Sequence, residues 1–219
     1  PLRRDRVLVV AGVPHEGPTG AVRLAEEVRH RRPGESFLAF RALPEFDARY
    51  IASVALLRVL DDGMSTRLHY RLCDQLGLAY SLGASIEPLH DVTVLEVSGA
   101  TANAKVPELV ARLLELADEL RRNGIDEAEL AKVKRRFRYD LLSSIDDANA
   151  MAGWFGGTAL YYPPTTLEER AARMDRVTVA DVRRAAGRAL APDNLAVVVV
   201  GSLTRARLAE IRSSVTGYR

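Results

Sequence analysis

At 219 residues and 47% hydrophobic content, the chain is long enough to bury a core in one domain. Charged residues make up 27%, and the net charge of +2 (pI near 8.9) comes from a small excess of arginine spread along the chain, which argues against a nucleic-acid binder built on basic blocks. One cysteine, Cys73, excludes an internal disulfide and a cysteine-rich zinc cluster, and no apolar run approaches the roughly 20 residues that span a bilayer.

No signal-peptide pattern precedes the first strand, so the expected compartment is cytoplasmic. The first residue is proline rather than methionine, which leaves room for a longer precursor. Asp5 to Gly12 is a short apolar run rich in β-branched residues and reads as a buried strand. Pro14 to Pro18 is a turn. There His15 beside Glu16 reads as a solvated loop pair, because adjacent residues share no face of a helix or strand. Thr19 caps a predicted helix from Gly20 to about Arg31, with Ala21, Leu24, Ala25 and Val28 inward and His30 on its polar end.

Pro33-Gly34 breaks the chain before a strand from Ser36 to Ala42. Phe46 to Asp61 is a strongly apolar helix: Ile51, Val54, Ala55, Leu57 and Leu60 wrap more than one face, as in helices held between a sheet and another element. Gly63 ends it, because glycine enters the left-handed region cheaply. Ser65 is the expected N-cap of the next helix, on which Leu68, Leu72 and Leu76 form one buried stripe. Gly77 follows as a C′ glycine. The period then becomes two, giving strands from Leu78 to Glu87 and Asp91 to Gly99, joined through Pro88-Leu89-His90 as an antiparallel hairpin. His90 reads as solvated in that turn.

From Lys105 the pattern is helical as far as Leu190. Lys105 to Asn123 carries an apolar stripe, and Gly124 ends it. Asp126 with Glu129 forms a capping box for a helix to about Ile145. Its Lys132, Lys134, Arg135, Arg136 and Arg138 could read an anionic patch, but a solvated face crossed by i,i+4 pairs with Glu127 and Glu129 is the stronger reading. Asn149 to Tyr162 holds Trp154 beside Phe155, a pairing that more often belongs to a core than to a ligand box. Thr165 or Thr166, then Thr178 and Thr204, are helix caps, and Leu195 to Gly201 is the last strand. The element order predicts a single α+β domain over residues 1–219, a two-layer sandwich of a mostly antiparallel sheet with helices packed chiefly on one face.

The Gly63-Met64-Ser65-Thr66-Arg67-Leu68 turn and helix, followed by Gly77-Leu78-Ala79-Tyr80-Ser81, resembles the C-terminal, zinc-free half of pitrilysin-type (insulinase and mitochondrial-processing-peptidase-like) metallopeptidases. Phe46-Asp47-Ala48-Arg49-Tyr50, Gly124 to Leu130, Val177 to Val182, and Pro192-Asp193-Asn194-Leu195 before a valine strand are similar to the same family. They fall in family order, from about residue 36 to the C-terminus.

A zinc hydrolase needs ligands converging at about 2.0–2.2 Å, and helices deliver them three or four residues apart. This family's motif is the inverted H-x-x-E-H. The four histidines here, His15, His30, His69 and His90, contain no such pair. The resemblance therefore implies no metal in this chain and zinc in a partner domain or subunit. It also implies a clamp, in which an arginine late in the helix and a tyrosine seven residues on polarise the substrate carbonyl. Tyr80 falls on the tyrosine position, but Cys73 stands where the arginine belongs. Arg71 lies about 200° round the helix from Cys73 and is expected to point elsewhere.

A thiol carries no fixed charge and cannot replace a guanidinium. Either the clamp is lost, or another subunit holds the oxyanion; Tyr80 itself is either a clamp residue or a packed strand aromatic. Tyr80, Ser81, Arg71 and Cys73 are the candidate substrate-binding residues, with Tyr80 the candidate catalytic one. His69 and Cys73 stand at i,i+4 and could form a base and nucleophile, but no third orienting residue is apparent. Asp61, Asp62 and Glu87 are each explained by a cap or turn.

Two functional readings follow. The first is the non-zinc half of a peptidase clamshell, holding an extended peptide for a zinc-bearing half or subunit. The second is a structural or peptide-binding subunit that keeps the fold without proteolysis. Neither involves nucleic acid or a membrane.

Overall fold

A strand-forming run returns late in the chain and lands in the middle of the sheet. The strands are β1 (Val7–Ala11), β2 (Gly34–Ala42), β3 (Ser81–Pro88), β4 (Thr93–Thr101) and β5 (Leu195–Val200). Their order is β1-β5-β2-β4-β3, with every neighbouring pair antiparallel. The computed structural model describes residues 7–11 (as backbone), 34–79, 81–89, 91–160 and 163–219. The proposed turn at 14–18, the helix at 20–31 with its Thr19 cap, and His15, Glu16, His30, Tyr80 and His90 lie outside the described residues.

The period of two does what it predicts. Ser36, Leu38 and Phe40 of β2, Thr93, Leu95 and Val97 of β4, and Leu195, Val197 and Val199 of β5 are all buried on one face. Over that face lie α1 (Tyr50–Leu60), α2 (Val106–Asn123) and α6 (Val179–Ala189). The stripe of α2, from Val106 through Leu109, Leu113, Leu116 and Leu120, is buried throughout. The remaining helices are α3 (Glu127–Ser144), α4 (Ala148–Ala152), α5 (Leu167–Asp175) and α7 (Arg205–Gly217). The architecture is the expected α+β arrangement of an antiparallel sheet with helices on one face.

The hairpin β3–β4 pairs from Ser81 with Ala100 to Pro88 with Thr93. Gly99 sits where a Cβ would come within 2.3 Å of the Leu82 Cδ2 atom, so any larger residue there would force the buried Leu82 side chain to move. The capping box at Asp126 with Glu129 and the Thr178 cap form as expected, the latter completed as a box by Asp181, and Thr166 rather than Thr165 caps α5.

Four expectations are corrected. Helix α1 begins at Tyr50, not Phe46, because the Asp47 carboxylate accepts the Arg49 backbone N–H at 2.8 Å and holds a turn there. Phe46 is consequently exposed. Ser65 is not a cap: its Oγ meets Lys132 Nζ at 2.6 Å, and the helix starts beyond Thr66. The basic face of α3 is not answered by its own Glu127 and Glu129. Lys134 donates to the Asp175 carbonyl, Arg138 pairs with Asp175 and Arg136 with Asp62, while Glu129 is taken by Arg67. Finally, Trp154 is half-buried under Arg170, 3.6 Å from its ring centre, and Phe155 is exposed, so this pair is not core.

Candidate functional site

The segment after α1 was expected to be an α-helix carrying Leu68, Leu72 and Leu76 on one stripe. It continues instead as a π-helix over His69–Gln75. The wider turn rotates later residues off the four-residue spacing. Leu68 and Leu72 are buried, whereas Leu76 is 45% exposed. Gly77 ends the helix with φ of 55°, in the left-handed region, and the Leu78 N–H returns to the Leu72 carbonyl at 2.9 Å. Leu78 and Ala79 are buried. Thr101 donates to the Leu78 carbonyl and Lys105 to that of Gly77 at 3.0 Å. The chain on both sides of position 80 is therefore fixed, and Ser81 opens β3 exposed to solvent.

Cys73 is half-buried, its Sγ 3.9 Å from His69 Nδ1. On the other side of the ring, Nε2 lies 3.3 Å from Asp61 Oδ1. Asp61 supplies the third residue that the sequence did not reveal. It caps the end of α1, and its Oδ2 also accepts the Ala84 N–H of β3 at 2.9 Å. Burial pushes the Cys73 thiol up, with Asp74 adding to the effect. An activated cysteine needs the opposite shift, so this line of residues ties three elements together rather than preparing a nucleophile. Nor does it chelate: the imidazole stands between the carboxylate and the sulfur, so the donors do not converge. Among the described residues, no three His, Cys, Asp or Glu side chains are arranged to hold a metal ion.

Arg71 turns away from this line. Its guanidinium makes a two-pronged contact with Glu119 of α2, which holds that carboxyl below its usual range. Arg67, one turn earlier, grips both Glu129 oxygens at 2.8 and 2.6 Å and reaches Glu119 at 3.1 Å. The two arginines anchor the π-helix to α2 and α3. Glu119 and Glu129 were missed as site neighbours; the one signal in the sequence was two arginines four apart, Arg67 and Arg71, a spacing at which like charges repel.

An antiparallel sheet backed by helices, with a glycine-bounded helix feeding an edge hairpin, defines the fold class. The chain belongs to the family described as the Peptidase M16 inactive domain, which it matches over residues 11–137. It is similar to the zinc protease PqqE of Helicobacter pylori, 31% identical over 106 residues, 48% of this chain and 24% of that protein. An uncharacterized zinc protease of Mycobacterium bovis is 26% identical over 142 residues, 64% of this chain and 32% of the relative. The chain thus spans only 24% and 32% of these two curated relatives.

Among solved structures, a protease from Helicobacter pylori shares the fold with a TM-score of 0.70 at 22% identity, over 79% of this chain and 42% of that one. A peptidase M16 inactive domain from Pseudomonas fluorescens does so with a TM-score of 0.70 at 22% identity, over 80% and 42%. A chain of Complex III2 from Candida albicans aligns at 0.69 and 16% identity, over 85% and 47%. The blocks at Val177–Val182 and Pro192–Leu195 lie beyond the family match, within a fold that these structures share over most of its length.

Proposed function

We propose that this chain is the zinc-free half of a zinc metallopeptidase clamshell. It closes over an extended peptide while a separate H-x-x-E-H-bearing domain or subunit hydrolyses it. The observation that carries the reading is the exposed edge of β3, which starts directly after Tyr80 and is held beside the family's glycine-bounded helix. A peptide can add there as a further strand, its main chain bonded to the edge and its alternate side chains read by the surroundings. Family membership supports the zinc-bearing partner. In this reading Tyr80 lies beside the substrate carbonyl while the partner supplies the charge that stabilises the oxyanion, Ser81 lies along the peptide, and Arg71 and Cys73 frame the helix end without entering the chemistry. The single cysteine suits a reducing cytoplasm.

One observation favours a second reading, a catalytically inactive structural or peptide-binding subunit. The clamp arginine is replaced by Cys73, and the arginine nearest to it along the chain, Arg71, is committed to Glu119. Native purification followed by zinc analysis and mass spectrometry separates the two. The first reading expects a bound H-x-x-E-H half carrying one zinc, cleavage of an unstructured peptide by the complex, and neither zinc nor cleavage by this chain alone. Tight zinc on the isolated chain would overturn it, and a native complex without any such half would establish the second.

A further inference from the structure

At the opposite end of α1 from Asp61, a cavity of about 300 Å³ opens between the start of α1, the end of α5 and the outer side of α6. Five arginines line it: Arg49 just before α1, Arg173 and Arg176 at the end of α5, and Arg184 and Arg188 one turn apart on α6. The only acid in the lining is Asp181, so five arginines and one aspartate leave the lining with a charge of +4, against +2 for the whole chain. Beneath the guanidiniums the wall is apolar, with Ile51, Ala52, Val177 and Ala185 forming a floor.

Elsewhere in the described residues, several arginines reach a carboxylate outside their own element. Arg58 meets Asp62 and Asp140, Arg67 meets Glu129, Arg71 meets Glu119, and Arg138 meets Asp175. In the cavity, Arg49 is held by Asp47 and Arg184 by Asp181. Arg173, Arg176 and Arg188 have no carboxylate within ion-pair distance among the described residues; Arg188 feels Asp47 only at longer range. Two arginines at i,i+4 on α6 repel each other and cost helix stability. Unanswered like charge gathered over an apolar floor is the form of a site that takes its counter-charge from a ligand.

We propose that this cleft binds a small organic phosphate, with the phosphoryl group on Arg173, Arg176 and Arg188 and a short apolar body against Ile51 and Val177. Guanidinium forks match phosphate oxygens two at a time. Three unanswered forks suit a dianion with three free oxygens better than a carboxylate, which one fork satisfies. The volume is at the small end of the range for ligand sites, about 300–1,000 Å³, and admits a phosphate with a compact body. The site is separate from the peptide edge: at the rise of a helix, α1 puts about 18 Å between Arg49 and Asp61. It does not rest on the existence of a zinc-bearing partner.

Calorimetric titration of the full chain with phenyl phosphate, inorganic phosphate and benzoate tests this. Phenyl phosphate should bind once per chain, about tenfold or more tighter than either comparator, and weaken as salt rises because the guanidiniums are solvent-exposed. Arg176→Gln/Arg188→Gln should lose about tenfold or more, while Arg205→Gln/Arg212→Gln on α7, the same change in net charge, should lose little. Equal losses in both double variants would reduce the effect to overall charge and overturn the proposal. So would inorganic phosphate binding as tightly as phenyl phosphate, or binding only to anionic vesicles. Circular dichroism of both variants checks that they remain folded.

Discussion

The Asp61 carboxylate accepts the backbone N–H of Ala84 at 2.9 Å, so a residue at the end of α1 occupies a hydrogen-bonding position on the outer edge of strand β3. Alternation along an antiparallel strand puts the N–H and C=O groups of Leu82 and Ile86 on that same edge. Asp61 therefore blunts one rung of an edge that would otherwise template another chain. It leaves the neighbouring rungs for a peptide.

Removing that carboxylate should separate its two effects. Asp61→Ala should lower stability to urea by about 1–2 kcal/mol, since a charge-assisted bond to a strand amide is lost. Asp61→Asn, which keeps an acceptor oxygen, should cost less. Hydrogen exchange at Ala84 should accelerate in the alanine variant. Unchanged protection there would show that the amide has another partner.

Glu119 gives a pH-dependent prediction. The hydrogen bond from Arg71 holds its carboxyl below the usual range, with Arg67 adding to the effect. A depressed folded-state pKa contributes stability that is present above the ordinary glutamate value and lost as pH falls through the folded one. Glu119→Gln should therefore lower the melting temperature at neutral pH by an amount equivalent to about 0.5–1 kcal/mol, the low end suited to a pair that is one-third exposed. The gap between variant and parent should close in acid below the usual carboxylate range. A gap that persists there would mean the loss comes from packing.

These two residues also mark what the sequence could reveal. The hairpin, the glycine terminators and the capping boxes were legible because each is local: Gly63 and Gly77 adopt positive φ of 98° and 55°, and Asp126 finds Glu129 three residues away. Contacts between elements were not. Asp61 meets His69 across the Gly63 turn, and Arg67 meets Glu129 across 62 residues, neither of which any periodicity encodes. The π-turn over His69–Gln75 was equally hidden. Its sequence carries an ordinary leucine stripe, and only the exposure of Leu76 reports the extra width. The Asp47 turn that delays α1 was visible as an Asp followed two residues later by an arginine, but the apolar pattern beyond it dominated the reading.

Cys73 should be a slow thiol. Burial and Asp74 both favour its protonated form, so alkylation by iodoacetamide at neutral pH should run below the rate of a free cysteine and rise only on the alkaline side of the ordinary thiol value. His69→Ala would open the space beside the sulfur without raising its thiolate character. Modification in the parent faster than free cysteine, with a plateau below neutrality, would instead identify an activated nucleophile backed by His69 and Asp61.

The last prediction concerns Tyr80 and the arginine position seven residues before it. A catalytic oxyanion donor strengthens its bond as charge develops, so losing one lowers turnover by roughly 10²–10³ with little change in binding. Here the charged member of the pair is absent: Cys73 is a neutral thiol packed against His69, and Arg71 is held two-pronged by Glu119. A phenol left without its guanidinium has a reduced part to play. Tyr80→Phe should therefore leave turnover of the assembled peptidase nearly unchanged, with the partner supplying the charge. Cys73→Arg should restore nothing, since the new side chain must displace a half-buried contact and has no acid positioned to orient it. Steady-state kinetics of both variants in the complete complex decide the matter: a hundredfold fall in kcat for Tyr80→Phe at constant KM would place the oxyanion contact in this half after all.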